Sequence, residues 1–499
     1  MKVYYLTDKK ERQKALAAGG YYTQDYIPCL LDSAGISGEA LAPEDTDRVQ
    51  PGDAVFAPEG APLPPCRKIT YPAAAEKTEG VKAEFELSGT KVYLVVPLRG
   101  EPVKKAADSL SFGFDLPGQL WFAGDGWPRE PENFFVGRIP DASPLGKNNI
   151  AREPYNTALI RLVAGTLLEW GFAAAAPLPP QNGSLPDFGF MVSGDDDCCS
   201  RDINLEAAGV MNRLGLPYHI NAMAAQGTAF CIDKADFEEC ARLGTETALH
   251  LDLSAVPADP RGETVRQKKL FEKTFGADPV TNCNHCLIQI HDCEEALLGF
   301  EDAGVIADNS KNGETNPEDI NAFDMTGYGF GFMHPRYTVT KEGRVIGCME
   351  IPQNYYEPRI GGKYGTDTGK LKNYFETGKK YMAVCQFFIH PHYLCSNNEH
   401  SAWSVKALEY ALEYFKGKNV WITTTNRLAL WWKQRGESVI KREGNVIVAD
   451  AKAPLVLLLP PGAKAEENGS SLPAGKTDAG LPYIAIEKPG LHRIALKEA

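Results

Sequence analysis

Long apolar runs are missing from this sequence. The best of them, "PLVLLLPP" at 454–461, falls far short of the roughly 18 residues that cross a bilayer. The opening "MKVYYLTDKKERQKALAAGG" lacks an apolar stretch of leader-peptide length and reads as a strand running into a helix. An excess of positive charge is missing too. Lys and Arg number 52 against 65 Asp and Glu, a net charge of -13. That field repels nucleic acid and anionic membrane surfaces, so neither is expected as a partner. The 12 cysteines follow no regular spacing, which excludes a disulfide framework and favours reduced thiols. The expectation is a cytoplasmic protein.

What is present is enough apolar material for a large core. Hydrophobic residues make up 43% of 499, and the length predicts two to four domains. Aromatics at 10% suit core packing, and also the flat faces of sugar rings. "MKVYYLTD", "DYIPCLLDSAG" and "DAVFAPEG" read as strand, helix and strand, with the helix stopping at Gly35. From about residue 80, "VKAEFEL", "KVYLVVPL", "QLWFAG" and "NFFVGRI" read as short β runs, and "PYNTALIRLVAGTLLEWGF" has helical spacing. Between 186 and 435 strand and helix patterns alternate. The strand runs are "FGFMVS", "PYHINA", "ALHLDLS", "DPVTNC", "GVIADNS", "VIGCMEI", "YMAVCQFFIHP" and "NVWITT". The fold class is therefore α/β: a (β/α) barrel of about seven or eight strands, with a Rossmann-like α/β domain before it and small β-rich segments. The boundaries are 1–75, 76–150, 151–440 and 441–499. The tract "GAKAEENGSSLPAGKTDAG" reads as a flexible loop within the last of these.

Reactive side chains of such barrels sit at the C-terminal ends of the strands. Here those ends carry Asp195, Asp196 and Asp197 in "SGDDD", then His250 and Asp252, His285, Asp308, Glu350, and His390 with His392. Taken singly, a strand-end histidine is more often structural and a strand-end carboxylate more often a helix cap. Together they need a shared cation or shared protons, because burying like charges side by side costs several kcal/mol. One Asp and two His can hold a divalent ion with room for water, a second Asp can take that water's proton, and a further His can protonate a leaving group.

On these motifs the region 186–435 resembles the polysaccharide deacetylases, carbohydrate esterases of the chitooligosaccharide deacetylase type. Their first motif, Thr-Phe-Asp-Asp-Gly, corresponds to "SGDDD", which implies Asp195 as base and Asp196 as metal ligand, with Asp197 in place of the glycine. Their His-Ser/Thr-x-x-His motif matches "HLDLS", with His250 as the first histidine and Ser254 where the second belongs. Serine is a poor ligand for a divalent ion, so His285 in "TNCNHC" is taken as its replacement from the neighbouring strand. "VIGCMEIPQ" resembles the strand leading to the substrate groove, and "FFIHP" the last motif, which implies His390 as general acid. "VWITTTNRLALWWKQR" resembles the closing strand and helix, whereas the arginine of the third motif has no counterpart. The resemblance implies a divalent metal, zinc first, and a carbohydrate substrate losing an acyl group, with Asp308, Glu350 and Tyr355 lining its groove. An assembly of several copies stays open.

Two rivals remain beside this reading. One is a carbohydrate-binding protein on a decayed barrel, favoured by Ser254. The other is a glycoside hydrolase using Asp196 with Asp308 or Glu350. The first domain resembles class I glutamine amidotransferases, but neither Cys29 nor Cys66 stands in their Gly-x-Cys-x-Gly setting, so a packing or oligomerisation role is expected. "CNHC" with His291 and Cys293 lacks the second ligand pair of a zinc ribbon, and "GTDTGK" lacks phosphate-loop spacing.

Overall fold

Every one of the eight runs read as strand between 186 and 435 carries a strand in the computed structural model. The structure describes residues 1–73, 81–125, 135–136, 153–255, 258–289, 293–311, 325–328, 331–362 and 367–497. The strands are β1 (Phe188–Asp195), β2 (Tyr218–Ala225), β3 (Thr245–Leu251), β4 (Thr281–Asn284), β5 (Ala307–Asp308), β6 (Met349–Glu350), β7 (Val384–Phe388) and β8 (Val420–Thr423). They form one curled parallel sheet in the order β7-β1-β2-β3-β4-β5-β6. The eighth does not close a ring between β7 and β1, as the sequence implied. β7 pairs directly with β1, and β8 lies on the other side of β1 along Phe188–Met191, below the point where β2 takes over at Ser193–Asp195. β1 meets β2 over only those last residues, and β8 fills the wedge beneath. No strand pairing joins β6 to β7 among the described residues; side chains bridge that gap, with Asn309 donating to Ile351 O at 2.7 Å and Gln386 donating to Asn309 Oδ1 at 2.7 Å.

β1 shows how this sheet is built. Successive side chains of a strand point to opposite faces. Phe188, Phe190 and Val192 face helices Thr368–Tyr381 and Ser401–Phe415, where Phe190 meets Phe375, Phe387 and Phe415 at ring separations of 4.9–6.1 Å. Each such buried ring contributes on the order of 2 kcal/mol. Ser193 and Asp195 face the lumen, where Ser193 accepts from Gln386 at 2.6 Å. The lumen is thus lined by paired polar groups, whereas branched apolar residues dominate the usual barrel core. Gly194 has to be glycine, because a Cβ there would lie 2.0 Å from Ile389 O and 2.6 Å from Tyr218 Oη.

The N-terminal sheet has the parallel strands Val3–Leu6, Gly38–Leu41, Ala54–Pro58, Arg67–Tyr71 and Ser109–Phe112, with Val103–Ala106 antiparallel at its edge. It therefore runs beyond residue 75. "QLWFAG" is not a β run: it lies in helix Leu116–Gly124, started by Asp115, whose side chain accepts from Gly118 N, and by a proline in the first turn. Most of "NFFVGRI" lies outside the described residues. The amidotransferase resemblance finds no support. Cys29 is buried inside helix Ile27–Ala34 with its thiol pushed up by burial, and Cys66 leads into a strand, so neither occupies a strand-to-helix elbow. The helix does end at Gly35, in the left-handed region at φ 72°.

Two antiparallel sheets close the chain around Ile447, Leu457 and Ile494. The tract read as a flexible loop is partly sheet: Lys464–Glu467 and Ser470–Ser471 pair across Asn468 (φ 52°) and Gly469 (φ 77°). Asn-Gly is the pair that such a two-residue hairpin turn favours. No described helix is long and apolar enough to cross a membrane.

Candidate metal and acid–base site

At the C-terminal mouth of the curled sheet, three side chains, one from the end of β3 and two from the turns after β1 and β4, aim their donor atoms at one point. Asp197 Oδ1 lies 3.2 Å from His250 Nε2 and 3.2 Å from His285 Nδ1, and the two imidazole nitrogens are 3.3 Å apart. The backbone works to make this triangle. Asp197 and Cys198 follow β1 at φ 44° and 58°, and Cys286 and Leu287 follow His285 at 53° and 55°. Non-glycine residues in that region cost about 1–3 kcal/mol each and gather where a site demands them. The His250 ring is turned by Cys283 O, 2.7 Å from Nδ1. A carbonyl only accepts, so Nδ1 carries a proton and Nε2 is the atom the ring turns to the triangle.

The sequence put Asp196 in this place, and the structure puts Asp197 there. Side chains alternate along the strand, so Asp195 faces the lumen and Asp196 turns away from it, and the left-handed turn at Asp197 and Cys198 brings the Asp197 carboxylate to the imidazoles. Asp196 is fully buried, and its Oδ1 accepts from Met223 N at 2.8 Å and Cys198 N at 3.2 Å. Burial pushes its carboxyl up to about 7. Asp197 is 37% exposed and opens the triangle to solvent. Its carboxyl is held below the usual carboxylate range: burial opposes this, but His250 and His285 outweigh it. His285 is pushed up to about 10, first by Asp197.

Asp195 lies deeper. Asn221 Nδ2 donates to its Oδ1 at 2.8 Å, Cys283 Sγ lies 3.5 Å from its Oδ2, and burial raises its pKa. His390, after β7, points Nε2 at Asp197 Oδ2, 3.5 Å away, and gives Nδ1 to Glu357 Oε1 at 2.5 Å, which also accepts from His390 N at 3.0 Å. Burial disfavours the charged ring, but Glu357 outweighs it and lifts His390 to about 9. Glu357 is fully buried at φ 50°, and Arg359 stands behind it with NH2 3.8 Å from Oε2. Tyr356 stacks on Phe388 at 5.4 Å and meets the His390 ring edge-on at 5.6 Å, an apolar wall beside the acid–base pair.

No family model matches the sequence, and no curated protein is similar to it. Solved structures do align. A candidate polysaccharide deacetylase of O-antigen biosynthesis from Bordetella bronchiseptica is 12% identical with a TM-score of 0.26, over 48% of this chain and 83% of that one. A candidate glycoside hydrolase/deacetylase from Parabacteroides distasonis is 10% identical with a TM-score of 0.34, over 56% and 82%. A dextranase from Flavobacterium johnsoniae gives 0.20 at 11% identity, over 64% and 53%. The chemistry is therefore read from the side chains.

The three residues expected to line a sugar groove are not at the mouth. Asp308 is buried, its Oδ1 accepting from Asn282 and Ser310, and burial lifts it to about 6. Glu350 is buried beside Lys311, 3.7 Å away, within a network that joins Lys311 and Arg336 to Asp125. Tyr355 is in the core against Tyr374 and Phe387, its neighbour Tyr356 taking the mouth. Asp196, Asp308 and Glu350 thus share no open groove, as the two-carboxylate glycosidase reading requires. Ser254 caps a turn through Asp252 and stays out of the triangle. Cys286 Sγ approaches His285 Nε2 at 3.4 Å, while the side chains of His291 and Cys293 lie outside the described residues. Sequence reasoning gave Asp197 no ligand role and did not single out Glu357. Nothing in "YYEPR" marked Glu357.

Proposed function

We propose that the protein is a metal-dependent hydrolase that removes an acyl group from a carbohydrate. The observation that carries this is the triangle of Asp197 Oδ1, His250 Nε2 and His285 Nδ1, with edges of 3.2, 3.2 and 3.3 Å. An ion with tetrahedral bonds of about 2.0–2.1 Å spaces its ligand atoms about 3.3 Å apart, so the donor set fits zinc in both spacing and chemistry. When bound, such an ion polarises an acyl carbonyl and makes water more acidic. Asp197, His250 and His285 hold it; Asp195, inward of them with a raised pKa, accepts a proton from the attacking water. His390, protonated at neutral pH through Glu357, gives its Nε2 proton to the departing amine or alkoxide. Tyr356, half-buried beside His390 and backed by Phe388, offers a flat face for a sugar ring.

The test is metal content by mass spectrometry alongside acetate release from acetylated chitooligosaccharides and acetylated xylan. One equivalent of zinc in the parent, lost with activity in His250→Ala and Asp197→Ala, is expected. A parent that neither binds a divalent ion nor releases acetate overturns the reading.

A further inference from the structure

A second cleft lies in the N-terminal sheet, well apart in sequence from the mouth of the curled sheet. Its five parallel strands run in the order second-first-third-fourth-fifth. In a doubly wound sheet of that order the chain leaves the first strand to one side and returns to its other side. The carboxyl ends of the first and third strands then part, leaving a crevice where such sheets take ligands. Here that crevice is open, with a volume of about 460 Å³. It is lined by residues ending or following four strands: Leu6 and Asp8 after the first, Pro43 after the second, Pro58 at the end of the third and Ala73 after the fourth. The size falls within the range of small-molecule sites, roughly 300–1,000 Å³.

The lining decides the class of ligand. Sites of this kind often receive a phosphate on the first helix's N-terminus. In this chain those amides are taken: Asp8 Oδ1 accepts from Lys10 N at 2.8 Å and Glu11 N at 3.2 Å. Asp8 and Glu11 also bring negative charge to the rim, with Lys14 paired to Glu11. A phosphate is repelled. Tyr21, Tyr22 and the prolines instead line it with apolar ring atoms, although Trp121 and Lys341 also pack on the Tyr21 ring and Arg12 on the Tyr22 ring. Beside them is Gln24, only 2% exposed, whose Oε1 accepts from Tyr71 Oη at 2.5 Å. Its Nε2 makes no hydrogen bond among the described residues, although Gln24 lines the cleft. That amide nitrogen is not sealed in the core but reaches the cleft, where a ligand acceptor can take its hydrogen bond. Aromatic rings beside an amide donor and ionic acceptors suit a ring with apolar C–H faces and hydroxyl edges.

We propose that this cleft is a second binding site of the protein, for a neutral mono- or disaccharide. The proposal stands on the N-terminal domain alone and does not rest on the barrel's chemistry. Saturation-transfer NMR on the full chain tests it, with glucose, mannose, N-acetylglucosamine and N,N′-diacetylchitobiose as probes and AMP as the anionic control. At least one sugar is expected to give a signal that falls five-fold or more in Gln24→Leu and keeps its strength in His250→Ala. Ala61→Trp, which fills the cleft from its wall, is expected to give the same loss if Gln24→Leu fails to fold. A sugar signal that the folded cleft variant leaves at parental strength, that His250→Ala abolishes, or that never arises overturns the proposal. A signal from AMP alone does so too.

Discussion

Glu357→Gln separates the acid–base role of His390 from its packing. The amide is nearly the same shape and can still accept from His390 N, now 3.0 Å from Oε1, but the charge that stabilises the imidazolium is gone. With the carboxylate, His390 titrates near about 9. Without it the ring falls toward its ordinary value of about 6.5, with burial disfavouring the charge and Asp197 and Asp195 still favouring it. An acid must be protonated to act, so activity falls as pH rises through this pKa. At pH 8 about 90% of the rings are protonated in the parent; a variant ring at the ordinary value would be about 3% protonated, a loss of up to about 30-fold. At pH 6 the two fractions differ by less than about 1.5-fold. Stability follows the same sign. A group whose pKa is raised on folding contributes fully below its unfolded value, about 6.5, and loses that contribution as pH climbs through about 9. The gap of about 2.5 corresponds to on the order of 3 kcal/mol below pH 6.5, of which the variant forfeits the share due to Glu357, the largest of the raising causes. The assays are a pH profile of kcat/KM for acetate release, and the His390 ring shifts followed by NMR. A variant whose profile and ring titration overlay those of the parent refutes the reasoning.

Asp197→Ala and Asp196→Asn, one residue apart, are expected to differ sharply: the first loses bound zinc, and the second keeps about one equivalent, as metal analysis of the purified proteins shows. His285→Ala should lower zinc affinity at least tenfold in a competition titration with a chelating dye while leaving the circular dichroism spectrum unchanged; parental affinity removes His285 from the site. Asp125→Ala leaves Lys311 and Arg336 buried without their shared carboxylate and is expected to cost about 3–5 kcal/mol in urea unfolding, with a loss under 1 kcal/mol contradicting the network's importance. Gly194→Ala should lower Tm steeply or abolish soluble expression, because its Cβ has no room against Ile389 O.

The sequence by itself determined the strands, because their apolar faces and glycine or proline breaks are local. Eight runs were legible, as were the strand ends carrying Asp195, His250 and His390, and the stop at Gly35. The hairpin at Asn468–Gly469 was legible too, had its turn pair been weighed above the polar composition around it. Only the tertiary structure decided which side chains meet. Whether Asp196 or Asp197 faces the imidazoles depends on the turn after the strand, where Asp197 and Cys198 take left-handed backbone. Such residues are asparagine or glycine more often than aspartate and cysteine, so the letters gave no warning. Asp308, Glu350 and Tyr355 stood at strand ends as required, yet each turns into a hydrogen-bond network or the core. A strand end sets a residue's height in the sheet but not the face it takes, and a shift of one position exchanges mouth for core, as Tyr356 and Tyr355 show. Glu357 was invisible for a further reason: its partner His390 is 33 residues away, and only the pairing of Tyr356 with Phe388 brings the two together.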